Sequence, residues 1–267
     1  MRKTNVNHLL FLLGGLLSLV LPAAAQDGGI PYGSNPEASH YAPVNGIELY
    51  YETYGSGAPL LLLHGNGGSI EAFRYQIPFF EKHYQVIAVD SRLQGRSGGS
   101  PDTLSYDMMA EDFCALLDYL DLDSVYVLGW SDGGIDGILM ALDCPSKVRK
   151  LAVSGANTVP DSSALPYADL LYMKDLVENS KTASAKEKTL NRMMLYQPQI
   201  PDEELGRITC PVLVMAGDHD LIKAEHTLRI FRSIPGAELC IFPGAHHGVC
   251  QQYPAVFNET VLRFFEK

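Results

Sequence analysis

Residues 124–142 read Ser-Val-Tyr-Val-Leu-Gly-Trp-Ser-Asp-Gly-Gly-Ile-Asp-Gly-Ile-Leu-Met-Ala-Leu, and the middle six, Gly129 to Gly134, decide the fold. Ser124 to Leu128 has strand composition, and Ile135 to Leu142 is an apolar run with helical character. A strand that passes through Gly-x-Ser-x-Gly into a helix is a nucleophile elbow. The glycines at 129 and 133 answer to a turn too sharp for Cβ atoms, and Gly134 lets the helix pack close to the sheet. Such a turn pushes the Ser131 hydroxyl out at the positive end of the helix, where negative charge is stabilised. The pentapeptide alone is common by chance, so its weight comes from its flanks and from the loops nearer the C-terminus.

Outward from the elbow, apolar strands recur at Leu60 to Leu63, Gln85 to Val89, Val148 to Val153, Pro211 to Ala216 and Glu238 to Phe242. Helical spacing separates them, as in Met109, Phe113, Leu116, Leu117 and Leu120. Strands apolar on both faces, alternating with helices, indicate an α/β fold: a mostly parallel sheet covered on two sides. Upstream, Asn45-Gly46 between Tyr41–Val44 and Ile47–Tyr54 predicts a hairpin. The alternation breaks between about 158 and 207, where Tyr167 to Leu176 and Lys186 to Leu195 read as helices of an inserted cap.

The N-terminus is a separate matter. Arg2 and Lys3 precede an apolar run from Leu9 to Leu21, then Pro22-Ala-Ala-Ala25. Basic, apolar and small-residue segments in that order predict a cleavable signal peptide over 1–25, hence a secreted or periplasmic protein. The run is short and glycine-interrupted for a membrane span, so no stable membrane anchor is expected. Residues 26–40, rich in Gly, Pro, Ser and Asn, read as a flexible leader, and 41–267 as one domain. Cleavage would leave 242 residues and, with Arg2 and Lys3 gone, take the net charge from −11 to −13. So acidic a chain is a poor partner for nucleic acid or anionic membrane. Five cysteines follow no Cys-x-x-Cys spacing, which disfavours structural zinc. Cys114, Cys210 and Cys240 sit in apolar runs and read as buried thiols; Cys144 and Cys250 are the candidates for pairing.

Acyl transfer on a serine needs a base for the hydroxyl proton, an acid to hold that base, and donors for the oxyanion. In a parallel sheet these come from loops at the carboxyl ends of the strands. Three such loops carry candidates in the order Ser, Asp, His: Ser131, then Gly217-Asp-His-Asp220, then Gly244-Ala-His-His247. Taken alone, Ser131 is more often a helix cap, and Asp218 or Asp220 a solvated loop charge. Concurrence at successive strand ends is what favours the chemical reading. The spacings of Asp218, His219, Asp220, His246 and His247 match no metal motif, so neither metal nor cofactor is expected.

Over nearly its whole length after residue 25 the chain resembles the α/β-hydrolase family. The resemblance implies Asp220 as the acid, because the family reads Gly-x-x-Asp after the penultimate strand. It implies His247 as the base, four residues after Pro243 and seven before Pro254. His64-Gly65-Asn66 matches the family's oxyanion loop, so the backbone N–H groups of Asn66 and Asp132 are the expected oxyanion donors, and His64 is structural. One departure stands out: where many members read Asp-x-Arg-Gly-His-Gly-x-Ser, this chain has Asp90-Ser-Arg-Leu-Gln-Gly-Arg-Ser97, with Leu93 at the turn glycine.

In Gly129–Ile135 and Ser154–Asn157 the chain is similar to the biphenyl-hydrolase-like (valacyclovir hydrolase) subgroup. That likeness implies that Asp132 holds a substrate's α-amino group, although acids are favoured at helix N-termini in any case. The expected function is a serine carboxylesterase for small esters, α-amino-acid esters among them, with Trp130 and apolar cap residues lining the pocket. Lactone, thioester, amide or carbon–carbon hydrolysis by the same triad is the alternative, and a non-catalytic ligand receptor on this fold the bland one.

Overall fold

The computed structural model describes residues 30–267. The expected signal peptide, 1–25, lies outside the described residues. Eight strands form one sheet in the order β1-β2-β4-β3-β5-β6-β7-β8. β1 (Ser39–Val44) and β2 (Ile47–Gly55) are antiparallel across the Asn45-Gly46 turn. Both turn residues take positive φ, 44° and 78°, which matches the right-handed twist of the strands they join. β2 runs antiparallel to β4 (Gln85–Val89). From there β3 (Pro59–Leu63), β5 (Val125–Trp130), β6 (Val148–Ser154), β7 (Val212–Gly217) and β8 (Glu238–Phe242) continue the sheet in parallel.

The period-two alternation of a strand explains why these segments are apolar throughout. Leu61, Leu63, Ile87, Val89, Val127 and Val153 face one core, with helices α2 (Tyr106–Tyr119) and α3 (Asp132–Asp143). Leu60, Leu62, Val86, Ala88, Leu128 and Ala152 face the other, with α1 (Ile77–Phe80), α8 (Val249–Gln252) and α9 (Pro254–Glu266). α2 starts at Tyr106, three residues before Met109, because the Ser105 hydroxyl accepts the Met108 N–H at 3.1 Å and caps the helix.

Between β6 and β7 the described residues form α4 (Tyr167–Asn179), α5 (Ala185–Tyr196) and α6 (Asp202–Leu205), and no strand. Met193 packs into the first core. Leu165, Leu170, Met173, Met194 and Leu195 gather with Leu221 and Ile222, next to Asp220. Much of the apolar stripe expected to line a pocket is thus packing against the loop that carries the acid. α7 (Ala224–Ser233) completes the first face.

Two local findings differ from the sequence reading, and a third concerns the turn at Leu93. Residues 33–35, inside the expected flexible leader, are pinned: the Gly33 and Asn35 N–H groups donate to the buried Glu52 carboxylate at 2.8 and 2.9 Å, where the Tyr50 and Tyr54 hydroxyls also donate. Cys114 is not a free thiol; it is joined to Cys144. α2 and α3 lie side by side on one face, which brings these two Cα atoms to 6.6 Å, a proximity that linear spacing does not show. Cys250 is buried and free. Leu93, where many family members carry glycine, takes the left-handed backbone that glycine favours, at φ 65°. Around it, Arg92 forks onto Asp112 of α2 at 2.7 and 2.6 Å, a nearly dry ion pair that fixes the loop.

Candidate active site

The turn after β5 is held where few residues can follow. Ser131 has φ 58° and ψ −119°, strained for a residue with a side chain. A Cβ at Gly129 would lie 2.0 Å from the Gly133 carbonyl oxygen, and one at Gly133 would lie 2.0 Å from that of Leu63. Only glycine fits at both. The Ser131 N–H donates to the Ser154 carbonyl at 2.8 Å, so β6 braces the turn.

The loops after β7 and β8 bring their side chains to this serine. The Ser131 Oγ stands 2.9 Å from His247 Nε2, and His247 Nδ1 stands 2.6 Å from Asp220 Oδ1. Burial raises the Asp220 pKa, but the His247 hydrogen bond and charge, with the N–H groups of Ile222 and Gly217, outweigh it and leave the carboxyl below its ordinary value. An ionised Asp220 can only accept, so Nδ1 carries the hydrogen and Nε2 is free to accept the serine proton. Asp218, His219 and His246 are exposed and stay outside this chain of contacts. A bare Gly155 makes room for the imidazole: a Cβ there would meet His247 Cε1 at 2.8 Å.

On the opposite side the loop after β3 lies against the serine; a Cβ on Gly65 would come within 3.0 Å of the Ser131 Cβ. Among the described residues neither the Asn66 nor the Asp132 backbone N–H finds a protein acceptor. His64 is wholly buried, and burial lowers its pKa to about 4, so it is neutral. Its Nδ1 donates to the Gly65 carbonyl at 2.7 Å, and its Nε2 accepts the Ser91 N–H at 3.0 Å. The loop after β4 adds two more ties. Asp90 accepts the Ile70 and Arg96 N–H groups at 2.8 and 2.7 Å, and Gln94 accepts the Gly67 N–H at 2.6 Å. Neither Asp90 nor Gln94 stands out in the sequence as a site residue, although the departure at 90–97 pointed to that turn.

The Asp132 side chain is buried and already engaged. Its Oδ1 accepts the Tyr106 hydroxyl and its Oδ2 the Asn66 amide, each at 2.8 Å. Burial pushes its pKa up to about 6 against the opposing pull of those two bonds. Trp130 also has a contact that the sequence did not suggest: its indole N–H donates to the His247 carbonyl at 2.8 Å, so it anchors the histidine loop. Asp136, one turn after Asp132, is wholly buried and neither of its oxygens has a partner among the described residues; burial raises its pKa well above the ordinary value.

A serine on a strained strand–turn–helix, a histidine and an aspartate from the next strand ends, and a doubly covered parallel sheet together define a hydrolase of the α/β class. The chain belongs to the family described as "alpha/beta hydrolase fold", whose sequence profile matches residues 58–200, more than half of it. Within the family it is similar to the human serine hydrolase BPHL, 28% identical over 92% of this chain and 90% of that protein. It is also 27% identical to 2-hydroxy-6-oxononadienedioate/2-hydroxy-6-oxononatrienedioate hydrolase 1 of Dechloromonas aromatica, over 82% of this chain and 90% of the relative. A bromoperoxidase structure from Bacillus anthracis superposes with a TM-score of 0.76 at 23% identity, covering 86% of this chain and all of that one, which shows the shared fold. Asp220 and His247 lie beyond the matched stretch, so their placement rests on the geometry above.

Proposed function

We propose that this hydrolase is a serine carboxylesterase that cleaves small esters through an acyl-enzyme on Ser131. The observation that carries the proposal is the unbroken contact chain from Ser131 Oγ through His247 to Asp220, at 2.9 and 2.6 Å. His247 Nε2 takes the hydroxyl proton as Oγ attacks the ester carbonyl carbon. The oxyanion of the tetrahedral intermediate meets the N–H groups of Asn66 and Asp132, each such donor being worth on the order of 3 kcal/mol in the transition state. His247 then protonates the departing alkoxide. Water, deprotonated by the same nitrogen, releases the acid and restores Ser131. Asp220 holds the imidazole in the required tautomer and stabilises it when charged.

α-Amino-acid esters belong to the substrate class on the strength of the resemblance of Gly129–Ile135 and Ser154–Asn157 to the biphenyl-hydrolase-like subgroup. The Cys114–Cys144 disulfide and the basic–apolar–alanine order of residues 1–25 both support an oxidising, exported location. A p-nitrophenyl ester panel of varied acyl length, run beside lactones, thioesters and amides, tests the reading. Ester turnover that is lost in Ser131→Ala, with Ser131 labelled by a fluorophosphonate, is the expected result. A faster lactone, thioester or amide would reassign the bond. Turnover surviving in Ser131→Ala would remove the serine mechanism.

A further inference from the structure

The two N–H donors of the oxyanion site come from segments 66 residues apart, and one is carried by a loop rich in glycine: Gly65, Gly67 and Gly68 surround Asn66. Such a loop does not hold an N–H in place by its own backbone preference. Its neighbours are tied, Gly67 to Gln94 and Gly68 back to the Gly65 carbonyl at 3.1 Å. Among the described residues Asn66 itself has a single side-chain tie, from its amide to Asp132 Oδ2. That bond joins the two donor residues directly to each other. The other carboxylate oxygen accepts from Tyr106, which is 1% exposed, and the Tyr106 N–H in turn donates to the Gln197 side chain at 3.3 Å, at the end of α5. Tyr106 therefore links the inserted helical segment, through its backbone N–H, to Asp132 and the oxyanion loop, through its hydroxyl.

We infer that Asp132 and Tyr106 are positioning residues that clamp Asn66, and with it the oxyanion loop, against the start of α3. The inference rests on the serine-esterase reading. Asp132 is only 4% exposed, and both its oxygens are committed to protein donors, so its side chain faces inward rather than toward the reacting carbonyl. A substrate ammonium would have to compete with Tyr106 and Asn66 for it. What the clamp controls is the distance from the Asn66 N–H to the developing oxyanion, where displacement by a fraction of an ångström weakens a bond that is strong only in the transition state.

Steady-state kcat and KM on p-nitrophenyl acetate and on the p-nitrophenyl ester of alanine test the clamp in the full chain. Asn66→Ala and Asp132→Ala should each lower kcat about 10- to 100-fold on both esters, less than the loss of a whole donor, with KM changed less than about threefold. The double variant should be no slower than the slower single one, because both remove the same tie. Asp132→Asn should recover most of the loss, since its amide oxygen still accepts from Asn66, while a counter-ion to ammonium would be abolished by that change. Tyr106→Phe should give a smaller loss in the same direction.

An unchanged kcat on the acetate ester in Asn66→Ala overturns the clamp. So does loss confined to the alanine ester, equal in Asp132→Ala and Asp132→Asn, which would make Asp132 a counter-ion. Should Asp132→Ala fail to fold, Asn66→Ala, a half-buried loop change, still decides the matter. Ser131→Ala separates the two levels: a dead Ser131→Ala beside a fully active Asn66→Ala removes the clamp alone.

Discussion

Ser131 sits between two sides built from the same kinds of residue to opposite ends. On the histidine side Asp220 faces an imidazole and two backbone N–H groups, and its pKa lies below the ordinary carboxylate value. On the oxyanion side burial lifts Asp90 and Asp132 to about 6 and Asp136 well above normal, and holds His64 neutral. Burial acts alike on all of them; what differs is the partner. Asp220 meets a group that becomes a cation during the reaction, Asp132 meets neutral donors, and Asp136 meets none. One side is arranged to accept a changing charge, the other to hold backbone donors still while no group on it changes charge.

The largest break in that comparison is Asp220→Asn. It leaves the shape in place but lets the amide hydrogens face His247, reversing the tautomer. A loss of about 10⁴ in kcat with little change in KM is expected, by analogy with the serine-protease triad. On the other side the same Asp-to-Asn change at Asp132 preserves the acceptor and should be far milder. Single-turnover rates on one neutral ester would measure both. Equal losses would erase the distinction between the two sides.

Gly155→Ala comes next, because it moves the imidazole without altering any charge. Gly155 has φ 65°, and an added Cβ would lie 2.8 and 2.9 Å from two atoms of the His247 ring. The ring must shift or the loop must open. A loss on the order of 10²-fold in kcat is expected, as for misplacement by about an ångström. Asn66 lies on the far side, so adding Asn66→Ala to this variant should lower kcat by the same factor as it does in the wild type. Wild-type turnover in this variant would mean that the histidine loop is slack enough to absorb a methyl group.

The two sides were also unequally legible in the amino-acid sequence. The elbow, the strand rhythm and the hairpin could be read because each rests on local spacing: Gly129 and Gly133 on sterics within five residues, Asn45-Gly46 on a two-residue turn. The fold class comes from these, and so does the set of loops that converge. What stayed hidden depends on pairs far apart in the chain. Cys114 and Cys144 meet only because α2 and α3 share a sheet face. Tyr106 gave no signal beyond being an apolar residue near a helix start, yet its hydroxyl reaches Asp132. Trp130 looked like pocket lining because an aromatic beside a nucleophile usually is one; its bond to the His247 carbonyl spans 117 residues. The buried, partnerless state of Asp136 was equally invisible, since an Asp in mid-helix is ordinarily turned to water.

Asp136 sharpens the comparison at its weakest point, through stability rather than rate. In the unfolded chain it titrates near the ordinary value of 3.8, while in the fold burial raises its pKa well above that. Between those two values the folded chain holds a proton that the unfolded chain has lost. Stability therefore falls as pH rises from about 4, at up to about 1.4 kcal/mol per pH unit, until the raised pKa is passed. Asp136→Asn replaces the neutral acid with a neutral group of the same shape and no titration. Thermal melts at pH 4, 6 and 8 should show the variant gaining on the wild type as pH rises above 4, with no reversal at the upper end of the series. The neighbouring raised carboxylates, Asp90 and Asp132, carry the same sign but are present in both proteins and drop out of the difference to first order. A difference that stays constant across the series would mean that Asp136 is ionised and solvated in the fold, and that the oxyanion side is wetter than its side-chain packing implies.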